Sequence, residues 1–359
     1  MEATATPEDI RLVVVQTEDS PTFSHVQKWI ESQQTKGLNI EIESKDNLNS
    51  AIESLDEHNC DLLAIEAKLW HDYYPNNDGD YVVATALSRR EENHILVASD
   101  RPAFLPHRSV ILSTNKLQRR QLRRYRPDYR VMSPTAFADA LGLPEPPLEG
   151  ELKMANWMED LRASERINGY VIRRHLFDDA PIDSRRHNLM SDPREGETVR
   201  FLPSPLQGLT LIISRTGFPS NISEQIGDRE SFTSWNHERA LLNSIKPEIR
   251  DRVGLLVRYR QIGSLLKQAE NEKDLLRSTS LLDTEGEIID SESKIEAMIE
   301  IVGKKGHRTL LLERLIDMEE ADVAIRFMAI DWNTMLDAVT EEHEEDPRLG
   351  PARPAFLDL

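Results

Sequence analysis

Ile10-Arg11-Leu12-Val13-Val14-Val15 is a short β-branched run, and together with the segments after it this run decides the fold. A run of this composition reads as a buried strand. Ser20-Pro21 then supplies a helix start, with a capping hydroxyl followed by proline at the first helical position. Residues 22–33 keep helical spacing, and residues 38–42 alternate as a second strand. Strand, helix and strand within about thirty residues make the βαβ unit of a parallel sheet.

Outward from this unit the same alternation continues. Residues 48–58 read as a helix, 61–65 as a third strand and 81–87 as a fourth. The pattern restarts past residue 100. Residues 108–112 read as a strand, Thr114 or Asn115 caps a basic helix running to about Arg124, and 129–132 read as another strand. A Pro- and Glu-rich loop over 142–150, a helix over 151–166 and an unusually charged strand over 169–177 follow. Residues 178–198 are polar with little periodicity and predict a long surface loop, and 201–214 bring back an apolar strand. A third unit begins near Phe232. It is expected to hold a helix over 235–246, a strand over 252–259 and a hairpin-like pair around Thr284-Glu285-Gly286. A long helix over 291–303 and a mainly helical 307–339 complete it. Residues 340–359 are acidic and then Pro-rich, so they are expected outside the core. No internal repeat is visible.

A chain of 359 residues calls for two or three domains. With 39% hydrophobic and 30% charged residues it reads as an ordinary globular protein. No run approaches the roughly 20 apolar residues of a membrane span. The expectation is a cytoplasmic protein: no basic segment precedes an apolar stretch at the start, and the lone Cys60 excludes a disulfide framework. Asn221-Ile222-Ser223 matches a glycosylation sequon and is read as chance. The ten histidines show no metal-ligand spacing, Gly303-Lys304-Lys305-Gly306-His307 lacks the spacing of a phosphate-binding loop, and no nucleophile elbow is present.

The formal net charge of −19 repels nucleic acid and anionic lipid, so an anionic ligand must be drawn by a local basic cluster. Lys116, Arg119, Arg120, Arg123, Arg124, Arg126 and Arg130 form one. Two readings stay open. The cluster is either a solvated or interdomain salt-bridge surface, or an anion site where the helix-start amides at Thr114 and Asn115 work with Lys116.

Trp235-Asn236-His237-Glu238, Ile262-Gly263-Ser264, Leu202-Pro203-Ser204-Pro205-Leu206-Gln207-Gly208 and several other stretches resemble the porphobilinogen deaminase (hydroxymethylbilane synthase) family. Trp235-Asn236-His237-Glu238 resembles its His-x-Glu-Thr helix opening, and Ile262-Gly263-Ser264 its Pro-Ile-Gly-Ser-Tyr strand. Residues 276–289 resemble its Asp-Gly hairpin, and Lys305-Gly306-His307-Arg308-Thr309-Leu310-Leu311 its closing Gly-Ala-x-x-Ile-Leu. Leu202-Pro203-Ser204-Pro205-Leu206-Gln207-Gly208 is similar to the crossover between its first two domains. Arg124-Tyr125-Arg126-Pro127-Asp128 and residues 60–68 supply two further anchors, so that the resemblance spans residues 10–315, poorly over 140–200.

The resemblance implies an α/β protein of three domains. Two would be periplasmic-binding-protein-like lobes with mixed, mostly parallel sheets, and the third a smaller α/β unit. The expected bounds are 1–100 with 201–228, then 101–200, then 229–318, with a helical extension and acidic tail over 319–359. It further implies a link to tetrapyrrole and heme biosynthesis and a transferase that condenses four porphobilinogen molecules on a thioether-held dipyrromethane cofactor.

The residues for that chemistry are missing. The stretch Arg252-Val253-Gly254-Leu255-Leu256-Val257-Arg258-Tyr259, matched to the cofactor loop, has no thiol, so no dipyrromethane is expected. Leu69 stands beside Lys68 at the family's catalytic aspartate position. That loss removes about 4 kcal/mol of charge stabilisation across 4 Å at an effective dielectric of about 20. Glu18 replaces a substrate-binding arginine next to Ser20, and Ser113-Thr114-Asn115-Lys116-Leu117-Gln118 lacks the family's paired arginines. Arg119 and Arg120 come one or two residues late, each step a rotation of about 100° around the helix. The expectation is therefore a catalytically degenerate homologue, the alternative an active divergent synthase. Lys68, Ser20, Ser113, Thr114, Asn115, Lys116, Arg119 and Arg120 are the candidates for holding a small carboxylated ligand. No metal, nucleic acid or membrane is expected, and a protein partner docking on the extension is the remaining possibility.

Overall fold

The structure, a computed structural model, describes residues 9–17, 20–33, 38–75, 80–180, 182–192, 199–289, 293–342 and 354–359. Glu18, residues 193–198 of the expected loop and residues 343–353 of the tail lie outside the described residues. In chain order the elements begin with β1 (Asp9–Val15), α1 (Thr22–Gln33), β2 (Asn39–Lys45), α2 (Leu48–Asp56), β3 (Leu62–Glu66), α3 (Ala67–Tyr73) and β4 (Tyr81–Ala86). They continue with β5 (His94–Ala98), β6 (Val110–Ser113), α4 (Lys116–Tyr125), β7 (Arg130–Met132), α5 (Pro134–Leu141), α6 (Glu151–Ala163), β8 (Gly169–Arg173), α7 (Arg174–Asp179) and β9 (Arg186–Asn188). The last are β10 (Thr210–Arg215), α8 (Ser220–Ile226), α9 (Arg229–Ser244), β11 (Val253–Arg260), α10 (Ile262–Glu272), α11 (Leu275–Leu281), β12 (Lys294–Val302), β13 (Thr309–Ile316) and α12 (Ala321–Thr340).

The chain divides into two compact units, the first formed by Met1–Glu92, Gly150–Leu152 and Leu206–Trp235, the second by the remainder. The sheet of the first unit runs β2-β1-β3-β10-β4. β1 pairs in parallel with β2 and β3, while β10 returns antiparallel between β3 and β4. Leu12, Val14, Leu62, Ala64 and Ile212 pack on one face against Val26 and Trp29 of α1. The opposite face is also buried, through Val13, Leu63, Ile65 and Ile213, which explains the uninterrupted apolar runs. Gly208 leads into β10 at φ +78, where a Cβ would lie 2.2 Å from the Arg90 carbonyl oxygen, so only glycine fits this turn.

In the second unit the larger sheet runs β7-β6-β8-β5-β9, with β6 parallel to β7 and β8 and β5 antiparallel to β8. Both five-stranded sheets thus share one plan: three parallel strands in the order second, first, third, then an antiparallel strand and a last edge strand. A separate antiparallel sheet, β11-β12-β13, carries α12 against β13. Ile325, Met328, Trp332 and Leu336 of α12 are buried, and Val323, Phe327 and Ile330 are exposed. The mixed α/β class with two mostly parallel sheets and a third, smaller one is the architecture observed.

Several local expectations are corrected. Residues 294–302, expected within a helix, form β12. Glu296 and Glu300 share a face at a separation of four in either a helix or a strand, so spacing could not decide. The β-branched Ile295, Ile299, Ile301 and Val302 favour the strand. The expected helical stretch 307–339 is β13 followed by α12, and β8 ends at Arg173 because 174–179 turn into α7. β9 lies inside the expected loop and pairs with β5. Ile262-Gly263-Ser264 opens α10, and Trp235 to Glu238 lie inside α9, which starts at Arg229.

Candidate functional site

In the second unit the chain leaves β6 through α4 to β7 on one side, then returns to β8 on the other. The order reverses between β6 and β8, and in open α/β sheets ligands sit outside the carboxyl ends of strands at such a reversal. β6 ends at Ser113, whose partner on β8 is Val171, so Arg173 and Arg174 follow just beyond. Ser113 is fully buried and its hydroxyl accepts from the Asn115 amide at 3.1 Å. Asn115 caps α4: its Oδ1 accepts from Gln118 N at 3.1 Å, and its Nδ2 donates to Ser204 Oγ at 2.9 Å. Replacing Asn115 by alanine is expected to cost about 1 kcal/mol in urea unfolding, with Asn115→Asp retaining most of the cap.

Thr114 and Lys116 are exposed at this edge, and Lys116 Nζ lies 2.5 Å from Asp251 Oδ2. Burial opposes ionisation of Asp251, but Lys116 and Arg252 outweigh it and hold its carboxyl below the usual range. Arg119 folds back over the strand end, donating to the carbonyls of Ser113 at 2.7 Å and Thr114 at 2.9 Å. Burial, then the neighbouring Arg123, lower its pKa. No carboxylate is bonded to it among the described residues. Arg174 is half-buried with its Nε unpaired. Lys116 and Arg119 therefore follow the end of β6, and Arg173 and Arg174 the end of the neighbouring β8, in a strongly acidic chain.

The next residues of α4 serve a different purpose. Arg120 is 5% exposed and donates to Val302 O at 2.7 Å, turned to β12 and away from the strand edge. One residue of helix separates it from Arg119, and the rotation of about 100° accounts for the divergence. Gln121 Nε2 donates to Leu202 O and to Glu300 Oε1, at 2.9 and 2.6 Å. Arg124 closes a pair with the buried Glu300 at 2.6 Å. Most of the basic helix thus clamps the small sheet.

Ser20 and Lys68 belong to the corresponding edge of the first unit. Ser20 Oγ lies 2.7 Å from Thr22 Oγ1 and accepts from the Thr22 amide, fixing the start of α1. His25, one turn further, is buried with Nδ1 2.9 Å from Thr210 Oγ1. Burial first, then Arg90 and Lys28, lower its pKa to about 4. Lys68 is exposed in α3, beside a half-buried Leu69. Cys60 is buried, which pushes its thiol up to about 11 and makes it an unreactive packing residue.

Sequence reasoning missed a dense ionic cluster on the small sheet. Glu296, with no exposed surface, accepts from Arg258 at 2.8 Å, Arg260 at 3.1 Å and Arg277 at 2.9 Å. Asp192 bridges Arg258 and Arg260, and Glu313 bridges Arg200 and Arg277. Burial would raise the Glu296 carboxyl, yet the surrounding guanidinium groups hold it below its ordinary value. Two glutamates inside the apolar strand Lys294–Val302 were the available signal. Among the described residues no group of His, Cys, Asp and Glu is placed to hold a metal ion, and no helix is long and apolar enough to cross a membrane.

No family model and no curated protein matches the chain. Among solved structures it is similar to a zinc-bound ligand-binding component of an ABC-type import system from Staphylococcus aureus. The TM-score is 0.29 at 11% identity, covering 68% of this chain and 77% of that one. The lipoprotein Tp32 of Treponema pallidum gives 0.32 at 10% identity, covering 61% and 88%. A sulfate-bound mutant regulatory domain of OxyR2 from Vibrio vulnificus gives 0.32 at 10%, covering 63% and 95%. At such identities the likeness concerns the fold alone.

The expected tie to porphobilinogen deaminase is corrected, and with it the tetrapyrrole, heme and transferase assignments. The similar structures are described as an import component, a lipoprotein and a regulatory domain. The stretches that carried the resemblance also differ in structure. The one matched to the cofactor loop is the buried strand β11, and the one matched to a strand opens α10.

Proposed function

We propose that the chain is a binding protein for a small organic anion of the carboxylate class, held where β6 and β8 end. The observation that carries this is the placement of Lys116 and Arg119 after the end of β6, and of Arg173 and Arg174 at the adjacent end of β8, at a strand-order reversal in a chain of net charge −19. Ser113 and Asn115 shape the loop, Lys116 supplies a mobile charge, and Arg119 offers a planar guanidinium suited to a carboxylate. Asp251 is the counter-charge that Lys116 exchanges for the ligand.

Calorimetric titration of the full chain with succinate and citrate tests this. Saturable binding is expected, weakened about tenfold or more by Arg119→Ala, as for loss of one charge-assisted hydrogen bond. Affinity is expected to fall with added salt. Arg130→Ala, at an exposed position of the same basic cluster, should leave the affinity unchanged. Binding indifferent to Arg119→Ala, or no binding at millimolar ligand, would contradict the proposal.

A further inference from the structure

The turn that joins β12 to β13 packs four basic side chains into six residues, Gly303-Lys304-Lys305-Gly306-His307-Arg308. It is too short for a phosphate-binding loop, and the strand-edge site does not use it. The turn is rigid. Gly303 N donates to Arg308 O at 2.9 Å and Gly306 N to Gly303 O at 2.9 Å. Gly306, at φ +78, sits against the backbone of α4, where a Cβ would come within 2.6 Å of Arg124 N.

A second wall comes from residues 354–359. Leu357 is 2% exposed and its amide donates to Val339 O at 2.8 Å, pinning the segment to the end of α12. Lys304 N donates to Asp358 O at 2.9 Å, and the Lys304 ammonium lies 3.1 Å from the Asp358 carboxylate. Arg308 donates to the Phe356 carbonyl and lies 4.7 Å above the centre of its ring. The two walls are also tied to each other through Lys304 with Asp358 and Arg308 with Phe356, and a space remains between them. That space is a cavity of about 720 Å³, within the range of small-molecule sites.

The lining is amphipathic. Lys305 and His307 are exposed and bear no side-chain bond among the described residues, while Phe356 and Ala355 present apolar surface. Lys304 is already paired with Asp358, and Glu342 is the other acid on the wall. Beyond that pair, Lys305 and Arg308 outnumber Glu342 among the charged side chains of the lining.

We propose that this cavity is a second ligand site, for a small molecule with an oxyanion head on an apolar body. Lys305 and His307 take the head, Arg308 shares its guanidinium between the Phe356 carbonyl and the ligand, and Phe356 covers the apolar part. A phosphate or a carboxylate head satisfies the same donors.

The probes are phenyl phosphate, benzoate and inorganic phosphate, titrated into the full chain by calorimetry. Phenyl phosphate or benzoate is expected to bind, more tightly than inorganic phosphate, and the stronger of the two identifies the head. Lys305→Glu should weaken that binding about tenfold or more, and Arg119→Ala should leave it unchanged. Lys305 is exposed, so the substituted chain is expected to keep its unfolding midpoint. Failure of both aromatic probes, equal affinity for inorganic phosphate, or binding indifferent to Lys305→Glu would overturn the assignment. Binding abolished by Arg119→Ala would place the probe at the strand edge and equally overturn it. Because the strand-edge proposal is read with succinate and Arg119→Ala, each can fail while the other stands.

Discussion

Replacing Glu296 by glutamine is expected to destabilise the fold by about 3–5 kcal/mol, the range for breaking a buried ion pair by removing one partner. Glu296 has no exposed surface and is the shared acceptor of Arg258, Arg260 and Arg277. Glutamine keeps the shape and loses the charge, so the guanidinium groups that met on one carboxylate must repel one another in a dry site. Asp192 and Glu313 remain, but each already serves two arginines. Urea unfolding followed by circular dichroism measures the loss, since guanidinium chloride would screen the effect under study. The exposed pair of Lys246 and Asp337, 2.8 Å apart, is the control. Asp337→Asn should shift stability by no more than about 0.5 kcal/mol, because solvent and chain entropy offset most of a surface pair. Equal effects at the two positions would show that burial does not amplify the Glu296 cluster.

Acidification should reveal His25. Its folded pKa of about 4 lies below the ordinary 6.5, because burial and the nearby Arg90 and Lys28 disfavour the imidazolium. Between these values the unfolded chain binds a proton that the folded chain refuses. The stability is fully present above about pH 6.5 and falls as pH drops toward 4, by up to about 3 kcal/mol. Other groups also titrate there, so the comparison must be differential. His25→Gln retains an amide able to meet Thr210 and removes the titration. Relative to wild type, this variant should gain stability steadily from pH 7 to pH 4.5 in urea unfolding. A difference that stays flat across that range would mean His25 is not held neutral by burial.

Much of the architecture was legible because burial on both faces of a sheet leaves an unbroken apolar run. Strand β1, with Leu12, Val13, Val14 and Val15 all buried, could only be an interior strand. The start of α4 was legible to within one residue, Thr114 or Asn115, and the Asn115 side chain is the one that caps the helix. Two kinds of feature were hidden. A separation of four places Glu296 and Glu300 on one side of either a helix or a strand, so β12 looked helical until its partners fixed the period. Strand β9 was hidden because its three polar residues, Arg186 to Asn188, offer no apolar run to read.

The candidate site was legible only in part. The basic character of residues 116–130 marked α4, but nothing in one sequence says which cations face outward. Helical rotation sends Arg119 to the strand end and Arg120 to β12, and Glu300 consumes Arg124. Asp251, the counter-charge of Lys116, comes from a segment far along the chain. The resemblance to a tetrapyrrole synthase held for the mixed α/β fold class and not for the function, whose deciding residues were already absent from the sequence.

The most direct test is a ¹H–¹⁵N TROSY titration of the full chain with succinate, observing backbone amides. Saturable shifts are expected, concentrated in residues 113–119 and around Arg173 and Arg174, and lost in Arg119→Ala while the rest of the spectrum is preserved. Shifts concentrated elsewhere, or an unchanged spectrum at saturating succinate, would contradict an anion site at the ends of β6 and β8.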